Sequence, residues 1–394
     1  VEGTAQVSVD DLSVFSSLAD RELGGTGDLD LAGRSRFNLS EAEIATTGQT
    51  RNLAVGQPEL DRLFEGVTDL AITAEKNDET IFVERLSLEN PQVRVGGEGT
   101  YGGAGQNAVD AAILFTELSD VVPQMSGRAE ITLDAEEVDD AWQIDLEGDG
   151  AGALIDLAGQ ITGLDDVPAF DGAASIEVAD LSVFSTLANR DLGGAVDLEA
   201  EGMARFDLSE ARIDATGQTR DLAIDQAEFD RLFRGVTQLS VDGAKDADRL
   251  SLDELILRNS QINATAQGTY GGDGANAVQA DISVAQLSDI LPELSGPADV
   301  TLVAEETGDV WQVSLDGDGA GAVVDVLGEV GGLGATPRFD GEATVRAADL
   351  SRFSRIAGRP LAGSVNLSAN GSATLDASRF DLTADLRANG LRTG

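Results

Sequence analysis

Apolar and polar residues alternate with a period of two over most of the chain, the signature of strands with one buried and one wet face. Leu29 and Leu31 start one such run, and Phe37 and Leu39 keep its parity. Ile131 and Leu133 form another, followed by Trp142, Ile144 and Leu146. The pattern returns at Val196, Leu198, Phe206 and Leu208, then at Val300 and Leu302, and again at Trp311, Val313 and Leu315. Between these residues stand Asp, Glu, Arg, Ser and Thr. The expected fold is mainly β: a long, half-covered sheet rather than a parallel sheet buried on both faces.

In places the parity of the apolar positions flips. It changes between Ile44 and Leu53, and in the matching stretch between Ile213 and Leu222. One extra residue is needed for each flip, which predicts a bulge or a glycine bend. Bent strands with the apolar face inside would make a trough. A flip also spans Gly148–Gly152, copied after Leu315. There Gly-Asp-Gly-Ala-Gly suits a bend and a turn between two strands equally.

Short segments carry helical spacing instead. They are Leu12, Phe15 and Leu18; Leu60, Leu63 and Phe64; and Leu118, Val121, Val122 and Met125. Equivalents follow at Leu181, Phe184 and Leu187, at Phe229, Leu232 and Phe233, and at Leu287, Ile290, Leu291 and Leu294. These segments are expected to be lids over a sheet edge or an open end.

Internal repetition organises all of this. DLSVFSSLADRELGG from Asp11 returns as DLSVFSTLANRDLGG from Asp180 and as DLSRFSRIAGRPLAG from Asp349, both times after 169 residues. ELDRLFEGVT from Glu59, GTYGG from Gly99 and WQIDLEGDGAGALIDLAG from Trp142 return at the same offset. Two full units, 1–169 and 170–338, and a partial unit, 339–394, are expected to form one continuous array. The cut third unit, and a first residue other than Met, predict a piece of a longer protein.

Composition narrows the function. The chain of 394 residues has 26 Lys and Arg against 71 Asp and Glu, a formal charge of −45. That charge repels phosphate backbones, so no nucleic acid is expected as a partner, and it opposes lying flat on anionic headgroups. Cys and His are both absent, which removes disulfides, thiolate sites and the commonest general base. No uncharged run reaches the length of a membrane span. The Gly-Asp-Gly-Ala-Gly loops lack the ligand spacing of a calcium site. Gly102–Gly103 and Gly271–Gly272 lack the Lys-Ser/Thr of a phosphate loop. Lys76 and Lys245 sit in polar, turn-like stretches and read as solvated. No catalytic, cofactor or metal residue is expected, and the chain does not read as an enzyme.

The repeated DLS-x-F phrase, the strands ending in FDLS and the (E)-x-D-R-L-F-x-G-V-T segment resemble the TamB (translocation and assembly module) proteins within the AsmA-like group. The resemblance covers essentially the whole chain. It implies a long twisted antiparallel or mixed sheet curved into a taco-like hydrophobic groove, with a few short helices. It also implies a periplasmic protein, anchored to the inner membrane of a Gram-negative bacterium, that moves phospholipid toward the outer membrane and serves outer-membrane biogenesis. A TamA-type barrel partner and the membrane would be met through regions absent here.

The lead expectation is a lipid conduit without a cofactor. Its groove lining would be Leu29, Leu31, Phe37, Leu39, Ile131, Leu133, Trp142, Ile144 and Leu146, with their equivalents Val196, Leu198, Phe206, Leu208, Val300, Leu302, Trp311, Val313, Leu315, Val365 and Leu367. With ~12 strands per unit, about 4.8 Å apart, each unit would add about 60 Å of trough. The alternatives are a secreted adhesin or stalk of β-sandwich modules, and an assembly factor whose sheet edge binds client strands.

Overall fold

The alternation becomes strands almost throughout. The computed structural model describes the chain except for positions 20, 39, 104–106, 165, 273–274, 333–335, 375–378 and 394. Strand makes up 66% and helix 9%, and the 23 strands are paired antiparallel throughout each unit. A stalk of sandwich modules would require pairs of sheets packed face to face. Contacts divide the chain into two units, Val1–Asp191 and Leu192–Gly394.

The first unit holds β1 (Glu2–Val9), β2 (Gly24–Ser35), β3 (Glu41–Ala54), β4 (Val67–Asn77), β5 (Thr80–Glu89), β6 (Val93–Tyr101), β7 (Ala108–Phe115), β8 (Ala129–Val138), β9 (Ala141–Gly150), β10 (Ala153–Thr162) and β11 (Ala169–Val178). Each pairs antiparallel with the next, so the unit is an up-and-down meander.

The second unit repeats the plan with β12 (Gly193–Arg205), β13 (Glu210–Ala223), β14 (Val236–Asp246), β15 (Arg249–Arg258), β16 (Ile262–Tyr270), β17 (Ala277–Val284), β18 (Ala298–Thr307), β19 (Val310–Gly319), β20 (Ala322–Gly331), β21 (Arg338–Ala347), β22 (Leu361–Thr374) and β23 (Phe380–Thr393). These strands too are paired consecutively and antiparallel. One 169-residue period therefore supplies ten strands, β1–β10, not about twelve, and spans about 48 Å at the usual strand spacing.

A meander puts alternate connections on opposite rims of the sheet. In the first unit, among the described residues, helical turns fall only on the rim where odd-numbered strands end. They are Leu12–Phe15 with Ser16–Ala19, Pro58–Leu63, Leu118–Asp120 and Leu181–Phe184 with Ser185–Ala188. The second unit places Ala227–Leu232, Leu287–Asp289 and Leu350–Phe353 in the same way. We call this the helix rim, and the opposite one the turn rim. The helices are shorter than their sequence spacing suggests. Leu118–Asp120 is one 3-10 turn although the apolar spacing runs to Met125.

Asn90 fastens the helix rim. Its Nδ2 donates to the Leu63 carbonyl at 2.7 Å and to Thr68 Oγ1 at 3.0 Å, while its Oδ1 accepts from the amides of Gln92 and Val93. Asn259 makes the same set with Leu232, Thr237, Gln261 and Ile262. Thr68 and Val93 are 1% and 2% exposed, among the most buried residues of the chain.

The parity flips have two causes. In β3 and β13 they are bulges within one strand, at Asn52 (φ 50°) and Asp221 (φ 51°), each facing a shift of register opposite Gly25 or Gly194. Across Gly148–Gly152 the flip is a hairpin: Ala151 and Gly152, at φ 52° and 76°, form a two-residue turn between β9 and β10. Ala320 and Gly321 repeat it. Both central residues lie at positive φ, which matches the right-handed twist of the strands they join.

Candidate functional site: an uncovered apolar face

In-register neighbours in a ladder lie on the same face, so the pairing assigns every strand residue to a side. In the first unit one row reads Val7, Leu29, Gly48, Leu70, Leu88, Val95, Ile113, Ile131, Gly148, Ile155, Ile176 from β1 to β11. The adjacent row reads Ala5, Leu31, Thr46, Ile72, Leu86, Gly97, Ala111, Leu133, Leu146, Leu157, Ala174. The bulge in β5 between Val83 and Leu86 keeps Val83 and Ile81 on this side despite their odd numbers. The second unit has the same rows, among them Leu302, Leu315, Val326, Ala343, Ala369 and Ala384.

Among the described residues, the in-register positions of this face hold only four charged side chains: Lys76 and Glu137 in the first unit, Lys245 and Glu306 in the second. All four are at the turn rim. The other face carries the acids. Glu98, Asp110, Asp134 and Asp145 stand directly opposite one another on β6 to β9. Asp110 is held above the usual carboxylate range, first by its side-chain hydrogen bond with Asp134, then by burial and by the charges of Asp134 and Glu98. Arg–Glu pairs such as Arg34–Glu43 and Arg128–Glu130 are exposed and contribute little.

The apolar face is not covered like a core. Ile44 is 41% exposed, Ile155 41%, Ile176 40% and Ile213 46%, although each sits on this side. The whole chain exposes 23707 Å². A compact monomer of its mass would expose about 14,600 Å², and two separate bodies of half that mass about 17,600 Å². Surface of this extent comes from sheet faces with no second layer. Burial is concentrated at the helix rim, where Leu63, Val93, Ala129, Val178, Phe233, Val284, Ala298, Ala322 and Ala347 are buried.

Most of the expected lining falls on this face: Leu29, Leu31, Ile131, Leu133, Trp142, Ile144 and Leu146, then Val196, Leu198, Val300, Leu302, Trp311, Val313, Leu315, Val365 and Leu367. Phe37, Phe206 and Leu208 do not. The strands end at Ser35 and Arg205, and these three residues sit in the following turns, 95%, 59% and 61% exposed. Asx turns stop the strands: Asn38 Oδ1 accepts from the Ser40 amide, and Asp207 Oδ1 from that of Ser209. Leu39 lies outside the described residues. The lysines also differ from expectation. Both are in strands and half-buried, and their ammonium groups donate to the carbonyls of Asp78 and Leu208.

Sequence reading missed Phe170 and Phe339. The Phe170 ring lies over the paired glycines Gly159 and Gly172, so close that a Cβ on either would stand 2.8 Å from its Cζ. Phe339 lies over Gly328 and Gly341 in the same way. A glycine facing a glycine two residues from an aromatic was the available signal. The chain matches no protein-family model, no curated protein and no solved structure.

Proposed function

We propose that the apolar face is a lipid-conducting surface, and that the chain is a segment of a TamB/AsmA-like conduit moving phospholipid toward the outer membrane. The observation that carries this is the continuous set of aliphatic rows, crossing eleven strands of the first unit without a charge away from the turn rim, and left half-exposed. Each CH₂ taken out of water is worth about 0.8 kcal/mol. A row of Leu, Val, Ile and small residues offers that gain at every strand, so an acyl chain can move along it without a step back into water. Aliphatic side chains suit this better than shaped aromatic pockets, since no position along a row is a preferred stop. The acidic outer face, with a formal charge of −45 on the chain, keeps the surface soluble and repels other acidic surfaces.

In this reading the chain works in the periplasm, its full-length protein is held at the inner membrane, and a TamA-type barrel is its outer-membrane partner. Photocrosslinkers placed at Leu133, Leu146 and Leu315 are expected to capture phospholipid, and one at Asp145 is not. Labelling at Asp145 alone would refute the proposal.

A further inference from the structure

The two rims of the apolar face differ in chemistry, and the difference orients the bound molecule. The chain has 13 Phe, 2 Trp and 2 Tyr, and none sits in the middle of a strand face. Phe occurs at both rims: Phe15, Phe64, Phe115, Phe184, Phe229, Phe233 and Phe353 are at the helix rim, and Phe37, Phe82, Phe170, Phe206, Phe339 and Phe380 are at the turn rim, so what distinguishes the rims is the polar-tipped aromatics. Both Trp and both Tyr are at the turn rim, where Tyr101 and Trp142 mark the first unit and Tyr270 and Trp311 the second. All four point to the apolar side. The lysines Lys76 and Lys245 share that rim and face. Tyr, Trp and Lys each combine an apolar body with a polar tip, and they gather where hydrocarbon meets water.

Burial gives an independent sign. The strand ends at the helix rim hold the most buried positions, with Leu63, Thr68 and Val93 at 3%, 1% and 2% exposed, although the outer residues Val14, Phe15 and Leu187 are exposed. The turn rim is wet, with Tyr101 at 69% and Tyr270 at 62%. A ten-residue strand such as β9 is about 30 Å long, longer than the ~15 Å of acyl chain in one bilayer leaflet.

We infer that the occupant is a zwitterionic phospholipid lying along the strands, its headgroup at the Tyr–Trp–Lys turn rim and its acyl chains directed to the helix rim. This rests on the lipid reading above and adds the polarity of binding. The lysines offer the phosphate a cation at the rim. The formal charge of −45 and the rim carboxylates Glu137 and Glu306, each bound by an asparagine side chain, disfavour a headgroup with net negative charge.

The test uses the native tryptophans. The full chain is loaded with phosphatidylcholine carrying a nitroxide either on the choline or near the end of an acyl chain. The headgroup probe is expected to quench Trp142 and Trp311 at least twofold more than the tail probe. In a chain with Trp142→Phe, Trp311→Phe and Phe115→Trp, the order is expected to reverse. Equal quenching by both probes, or the opposite order at either reporter, overturns the orientation while leaving lipid on the face. Absence of quenching by both probes in both chains overturns the lipid reading itself.

Discussion

Leu146 is the sharpest test of whether the apolar face is open. It sits mid-strand on β9, flanked in register by Leu133 and Leu157, and it is half-buried. A fully buried Leu side chain contributes about 1.5–3 kcal/mol. With part of that area already in water, and no layer above to leave a void, Leu146→Ala should destabilise by about 1–2 kcal/mol. A covered core gives a different answer, because the cavity adds to the transfer term and Leu→Ala then costs about 2–5 kcal/mol. Urea unfolding followed by circular dichroism separates the two: the midpoint should fall slightly with an unchanged slope. Leu315→Ala, at the equivalent position of the second unit, should behave alike. A loss above about 3 kcal/mol at either position would mean that something packs on the face, and the argument for an accessible surface would fail.

Three further outcomes follow from the rim and the acids. Asn90→Ala removes four hydrogen bonds and strands partners at Thr68 and Val93, so it should cost about 2–4 kcal/mol; amide exchange near Val93 should accelerate, and normal protection would contradict this. The helix-capping Asp11, Asp180 and Asp349 have pKa values lowered by bonds from Ser13, Ser182 and Ser351. Their contribution is complete above the ordinary carboxylate range and is lost as pH falls through the lowered folded values; acid titration of the Ser13, Ser182 and Ser351 amide resonances measures it. Asp110 has the opposite sign, since its raised value makes stability fall as pH climbs from the ordinary carboxylate value through the raised one. Asp110→Asn should therefore raise the melting temperature at neutral pH and leave it nearly unchanged in strong acid.

Much of this architecture was legible because a period-two pattern with one-sided polarity has few other solutions. The faces of β8 and β9 can be read from Ile131, Leu133, Trp142, Ile144 and Leu146 alone. Strand ends were less legible. Phe37 and Leu208 carry the parity of the preceding strands, and only the Asn38–Ser40 and Asp207–Ser209 turns reveal that the strands have stopped. The lysines were misjudged for a related reason. Lys76 lies in an acidic, polar stretch of sequence, and register, which depends on the neighbouring strands, is what turns it onto the apolar side. The Asn90 staple joins groups 22 and 27 residues apart, a relation that no local pattern contains.

An even number of strands in the period has its own consequence. β1 and β11 are equivalent by sequence and run in the same sense, because ten reversals separate them. Adding or deleting one whole period would leave every helix on its own rim and every greasy side chain on its own side. A period with an odd count would send each new copy's caps to the far edge and mix the two kinds of margin. Duplication of one period would thus lengthen the sheet in a step of about 48 Å while both faces and both rims keep their chemistry.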